Sequence, residues 1–334
     1  MASGKLSVFD LHCDTLDKFY DHQAALLSAQ DSRGGADPRN QISWPSGYPQ
    51  QISTDIRLRE PVDFNWCQCF AIFFPERIKH PEAWQYYLDC KRLFDISIIG
   101  DNSRCQQVFS AADINAAFAT GRAAAILTLE GGTFLQDSLE PIGYIARQGV
   151  RMFGLTWNNQ NAIAGGTNSQ AGFSSFGRQV VASLEEQGVI IDASHLSDTS
   201  FRDLLALSTR PFVASHSNSR SICNHPRNLT DGQFRAIVER QGLVGLNFCN
   251  YFLTAEPRTP TPSDVLRHID HWLGLGGEHV IALGSDYDGA DIPPWLTRND
   301  KLAVLHGYVQ QAFGELIATN LFSANAERFY GENL

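Results

Sequence analysis

Eight short apolar or β-branched runs recur along the chain, and no other feature narrows the possible folds as far. They are LSVFDLH (6–12), CQCFAIFF (67–74), AAAILTLE (123–130), VRMFGLTW (150–157), GVIIDASH (188–195), PFVASH (211–216), GLVGLNF (242–248) and HVIALGSD (279–286). The later runs are near-continuously apolar rather than alternating, as parallel strands buried on both faces require. Amphipathic helical patterns fill the gaps, including PEAWQYYLDCKRLFDI, SFGRQVVASLEEQ, SDTSFRDLLALS, DGQFRAIVERQ and PSDVLRHIDHWLGL. Several begin with Ser or Asp at an N-cap position. Eight strands each followed by a helix predict an α/β chain folded as one (β/α)8 TIM barrel domain over residues 1–334, ahead of a doubly wound open sheet. With 334 residues, 43% of them hydrophobic, the chain can bury a core of that size.

Residues 34–61 lack strong periodicity and carry several Pro and Gly, which predicts a loop excursion after the first strand; loops that long are more often functional than filler. Residues 301–334 read as closing helices. A formal net charge of -10 with no Lys/Arg cluster argues against nucleic-acid binding. No apolar run approaches the roughly 18 residues that span a bilayer. About six residues, MASGKL, precede the first strand, too few for a signal peptide, so the expected location is cytoplasmic, with no membrane association. Seven scattered cysteines read as buried thiols rather than disulfides, and Cys67-x-Cys69 as two thiols packed on one face. GGTN at 165–168 lacks the Gly-Lys-Ser/Thr of a phosphate loop.

Barrel active sites lie at the carboxyl ends of the strands. Six metal-ligating or acid–base side chains fall there: His12 and Asp14 after the first run, then Glu130, His195, His216 and Asp286 at the ends of four others. His12 and Asp14 are two residues apart, so on an extended chain they face the same side. DASHLSD and VASHSNS set the same Ser-His pair at the ends of consecutive strands. Three histidines with three carboxylates exceed what one zinc needs, and two metals suit them better. No Lys lies between Lys91 and Lys301, so a side chain bridging two metals would be a carboxylate, and Glu130 is best placed. His22, His80, His268, His271, His279 and His306 read as structural or exposed.

In order and spacing, "DLHCDTL", "LEGG", "LTWNNQNAIAGG", "IIDASHLSD", "SHSNSRSICNHPRNLTD", "VGLNF" and "GSDYDG" resemble the membrane (renal) dipeptidase family of binuclear zinc peptidases, from residue 10 to near the C-terminus. The resemblance implies that His12, Asp14 and Glu130 bind one of two zinc ions, and Glu130, His195 and His216 the other. It implies that Asp286 handles the proton of a zinc-bridging hydroxide and that Arg227 grips the substrate carboxylate, a role suited to a planar fork of donors. The chain departs from the characterised animal enzymes at Trp157, where they carry a His that polarises the scissile carbonyl. Asn158 or Asn159 is the candidate replacement donor, with Trp157 and Asn158 counted as substrate-binding. The implied function is hydrolysis of dipeptides by a soluble bacterial-type member, with a homodimer possible.

The alternatives are hydrolysis of another small amide, such as an N-acyl amino acid, a lactam or a natural-product intermediate carrying a Cys-Gly unit, and a non-catalytic barrel. The complete ligand set weighs against the last. Deaminase-type barrels usually have His-x-His where this chain has His12-x-Asp14.

Overall fold

The computed structural model describes residues 5–31, 54–56, 58, 62–79, 81–101 and 103–334. All its strands are parallel: β1 (Ser7–Asp10), β2 (Asn65–Phe73), β3 (Cys105–Gln107), β4 (Ala123–Glu130), β5 (Val150–Gly154), β6 (Ile190–Asp192), β7 (Val213–Ala214), β8 (Leu243–Leu246) and β9 (Ile281–Leu283). Eight close a barrel in the order β2-β1-β9-β8-β7-β6-β5-β4, with β4 returning to β2. The expected (β/α)8 fold is therefore the observed one, and each of the eight runs holds one barrel strand.

The ninth strand corrects the expected count. β3 pairs Cys105–Gln107 with Ala123–Ala125 of β4. β2 already covers the other edge of β4, and β5 joins β4 only from Leu127 onward. β3 therefore bonds the stretch of β4 that β5 begins too late to reach, so those backbone groups do not stay unpaired. Its sequence, CQQ, is short and polar and carries no strand signal.

Strand register sets which side chains share the interior. Phe9 lies opposite Cys67 and Cys67 opposite Ala124, while Cys69 pairs with Ile126, and Thr128, Met152 and Ile190 form a matching row. All of these except Thr128 belong to one buried apolar cluster, which Ala326, Phe329 and Tyr330 of the last helix (Asn325–Asn333) join. The Tyr330 ring lies 4.8 Å from Phe9, and its hydroxyl 3.5 Å from Cys69 Sγ. The C-terminal segment thus plugs the interior below the strand ends. All seven cysteines are buried free thiols, as the sequence suggests.

The larger cluster packs the helices against the outside of the barrel. The helices over Ser175–Glu186, Asp198–Leu207 and Asp231–Glu239 start where a hydroxyl caps them: Ser174, Ser197 and Thr230 each accept a backbone N–H three residues on. Residues 34–61 fall outside the described residues except at 54–56 and 58. Where the chain returns, the Asp55 N–H donates to Asp288 Oδ1 at 2.7 Å, and the Asp288 N–H donates to Asp55 Oδ2 at 3.1 Å. Among the described residues, no helix is long and apolar enough to cross a membrane.

Candidate active site

Beyond β1 the chain is clamped on both sides. The Asp14 N–H donates to the Tyr287 carbonyl at 2.9 Å and the Ala71 N–H to the Cys13 carbonyl at 2.9 Å, while the Asp286 N–H donates to the His12 carbonyl at 3.2 Å. His12 and Asp14 are thereby fixed at the mouth, 3.5 Å apart (Nε2 to Oδ2), and Cys13 packs into the outer core.

Glu130, the last residue of β4, stands between two groups of donors. Its Oε2 is 3.5 Å from His12 Nε2. Its Oε1 is 2.7 Å from His195 Nε2 and 3.5 Å from His216 Nε2. Ligand atoms of His12, Glu130 and His216 lie within 4.8 Å of one another, as do those of His12, Asp14 and Asp286. All six strand-end residues are buried and converge.

Their surroundings aim them. His195 Nδ1 is 2.8 Å from Asn158 Oδ1, an acceptor, so Nδ1 carries the proton and Nε2, 2.9 Å from His216 Nε2, keeps the lone pair that a cation beside Glu130 would take. Asn158, the candidate donor to substrate, thus holds His195 through its Oδ1 and also borders the cleft described below. For His216, Asp192 Oδ2 accepts the Ser215 hydroxyl proton at 2.5 Å, and Ser215 Oγ sits 2.7 Å from His216 Nδ1, which donates to it. Asp192 Oδ1 also accepts the backbone N–H groups of Ser194 and Ser215, both at 2.9 Å. Partners of this kind fix the tautomer and orientation of ligating histidines.

Asp286 Oδ2 accepts Asn247 Nδ2 at 2.9 Å; the same amide lies 3.3 Å from the His216 carbonyl. Asn247 was missed in the sequence, although it directly follows β8. His195 and Asp286 both have positive φ, 67° and 62°, a costly conformation for residues other than Gly. Gly289 makes room for the carboxylates: a Cβ there would stand 2.0 Å from Asp14 Oδ2 and 2.7 Å from Asp286 Oδ1.

Burial and charge set the protonation. For His195, burial, with help from Arg227, outweighs Glu130 and pushes the pKa down to about 4; burial and the His12 charge lower His216 as well. Glu130 is held well below the usual carboxylate range, since His195 and His12 overcome its burial. His12 moves the other way: burial opposes its charge, but Asp14 and Glu130 prevail and raise it. Burial lifts Asp14 to about 8 and raises Asp286. Protons are therefore retained around His12 and Asp14, where a cation would displace them.

A metal fits this donor set on independent grounds. His12 Nε2 and Asp14 Oδ1 are buried polar atoms with no hydrogen-bond partner in the structure. Leaving such groups unpaired costs on the order of 1–3 kcal/mol each, a cost that coordination removes.

Asp14, Glu130, His195 and Asp286 border a cleft of about 340 Å³ whose walls include Arg227, Phe73 and Trp157. Arg227 is 6% exposed; its Nη2 donates to the His216 carbonyl at 3.2 Å, its guanidinium lies 5.5 Å from the Phe252 ring centre, and its buried Nε has no partner. Trp157 meets Phe73 edge to face at 5.2 Å and stands 6.2 Å from the His195 ring. Asn159 faces away, donating to Glu76.

The family model described as membrane dipeptidase (peptidase family M19) matches residues 4–322. Among curated proteins, an uncharacterised Klebsiella pneumoniae protein from the pqqA 5' region is 34% identical over 221 residues, 63% of this chain and 80% of the relative. A second, from the PQQ-III 3' region of Acinetobacter calcoaceticus, is 32% identical over 272 residues, 69% of this chain and 85% of its own. Among solved structures, one described as the metallo peptidase dipeptidase AC of family M19 superposes with a TM-score of 0.80 at 25% identity, covering 98% of this chain and 100% of that one. A metallo peptidase from Rhodobacter sphaeroides, liganded with a phosphinate mimic of the dipeptide L-Ala-D-Ala, has a TM-score of 0.79 at 24% identity, covering 99% and 100%.

Proposed function

The chain belongs to the membrane dipeptidase family, peptidase family M19, and from that premise we propose that it hydrolyses the peptide bond of dipeptides with two zinc ions at the strand ends. One observation carries the reading: the two oxygens of Glu130 face opposite donor groups, Oε2 toward His12 and Oε1 toward His195 and His216. A single carboxylate so placed suits a bridging ligand, with His12 and Asp14 completing one position and His195 and His216 the other. When bound, the metal pair supplies Lewis acidity and lowers the pKa of water at neutral pH.

The chain's own residues do the rest. Arg227 receives the substrate's carboxylate: its Nε has no other partner, and its burial keeps bulk water from screening the pair. Asp286 is the base. Asn247 holds its Oδ2, and its raised pKa suits taking a proton from the attacking water and returning it to the leaving amine nitrogen. Asn158 keeps His195 in the tautomer that presents Nε2, and Trp157 with Phe73 forms the wall of the cleft on the β2 and β5 side.

Steady-state rates of zinc-loaded protein on a dipeptide panel, including both stereoisomers of the carboxyl-side residue, test this reading. That choice is prompted by the L-Ala-D-Ala mimic bound by the Rhodobacter sphaeroides relative. Turnover that Asp286→Asn abolishes is expected. Activity confined to N-acyl amino acids or lactams would overturn it.

A further inference from the structure

A second cleft adjoins the catalytic one. It encloses about 460 Å³ and is bordered by Glu76, Lys79, Gln136, Asp137 and Asn159 among others. Trp157 borders both clefts, and consecutive residues face opposite ways: Phe73 and Asn158 toward the metal ligands, Phe74 and Asn159 toward the second cleft. The partition is thus the edge-to-face pair of Phe73 and Trp157. Trp157 is only half-buried, so its indole rim is the place where a long side chain would pass from one cleft to the other.

We infer that this second cleft is a side-chain subsite for the residue on the amino side of the scissile bond, with Trp157 as its dividing wall and a preference for long cationic side chains. The inference rests on the dipeptidase reading. Arg227 fixes the carboxylate beside Phe252, on the β7 and β8 side of the metal ligands. A dipeptide whose carbonyl lies at those ligands then extends its amino-side residue toward β2 and β5, where Trp157 stands. The catalytic cleft alone is within the usual size of a small-molecule pocket, so the second is available for a side chain rather than for the peptide backbone. Its lining carries two carboxylates, Glu76 and Asp137, against one ammonium, Lys79. That balance favours a guanidinium or ammonium over a carboxylate.

The test compares Arg-Ala, Glu-Ala and Ala-Ala on zinc-loaded wild-type protein and on the double variant Glu76→Gln/Asp137→Asn. Both residues are exposed, so folding is not at stake. Wild type is expected to favour Arg-Ala over Glu-Ala in kcat/KM by roughly fivefold, the scale of one or two exposed ion pairs, and the double variant to bring that ratio toward one. Cleavage of Ala-Ala with an Arg-to-Glu ratio near one, or with a ratio the double variant leaves intact, overturns the subsite and spares the dipeptidase reading. If no dipeptide is cleaved, that reading fails instead. The subsite is then judged by calorimetric binding of Arg-Ala and Glu-Ala to the same proteins, and equal affinities overturn it.

Discussion

Gly289→Ala probes what the geometry of the site is worth, because the three atoms nearest the added methyl group all belong to the carboxylates of Asp14 and Asp286. The new Cβ would stand 2.0 Å from Asp14 Oδ2 and 2.7 Å from Asp286 Oδ1, and real Cβ contacts essentially never fall below 3.0 Å. Asp14 must therefore retreat by about 1 Å. Ligand positions tolerate shifts of only about 0.2 Å, and a misplacement of about 1 Å at reacting groups costs on the order of 100-fold in rate. Stability should barely move: Gly289 is exposed, and its φ lies outside the left-handed region that favours glycine. The expected result is a kcat/KM on a dipeptide reduced about 100-fold with weakened metal retention on dialysis and a melting temperature within a few degrees of wild type. Elemental analysis, steady-state rates and a thermal melt of one preparation read all three. Wild-type activity and metal content in a folded Gly289→Ala protein would show that Asp14 and Asp286 do not need the positions seen here, and the assignment of both would fall with that.

Asn158→Ala should weaken metal binding by roughly tenfold to 100-fold in competition with a chromophoric chelator, whereas Asn158→Asp, which keeps the acceptor for His195 Nδ1, should recover most of it; equal losses would mean that Asn158 acts on substrate. Asp286→Asn should lower kcat by about 10²- to 10⁴-fold with little change in KM, read from steady-state kinetics, and a KM effect alone would make Asp286 a binding residue. Arg227→Lys should raise KM more than it lowers kcat, because one ammonium cannot replace a two-pronged carboxylate grip. His268 gives a pH signature in stability. It is fully buried, its Nδ1 accepting the Ser219 N–H at 3.1 Å and its Nε2 donating to the Leu253 carbonyl at 3.1 Å, and burial pushes its pKa down to about 4. The unfolded chain takes the proton first as pH falls, so the neutral ring's contribution is complete above about pH 6.5 and is lost toward pH 4, by about 3 kcal/mol in all. Urea midpoints from pH 7.5 to 4.5 should fall less steeply in His268→Gln than in wild type, and parallel slopes would contradict the burial argument.

What the sequence makes legible follows from how each feature is encoded. The barrel strands announce themselves because parallel strands buried on both faces must be apolar throughout; β3 does not, because its job is to satisfy three residues of β4 backbone, which any side chain permits. Glu130, His195, His216 and Asp286 are legible because a charged or titratable residue closing an apolar run has few structural reasons to be there. Asn247 directly follows β8, but an amide is ordinary at a strand end, and only its 2.9 Å contact with Asp286 singles it out. The Asp192–Ser215–His216 chain is harder still. It joins residues 23 positions apart and depends on Asp192 standing opposite Val213 in the ladder, which no local pattern states. The same holds for the backbone. His195 and Asp286 sit at positive φ with side chains other than Gly, conformations costing about 1–3 kcal/mol each, and propensity would steer a sequence away from them. Neighbouring bonds hold them there: the Asp286 N–H on the His12 carbonyl, and the His195 carbonyl between the hydroxyls of Thr156 and Thr167 at 3.3 and 3.1 Å. In the sequence a candidate ligand is a residue type at a strand end; which way it points is decided by groups from other strands.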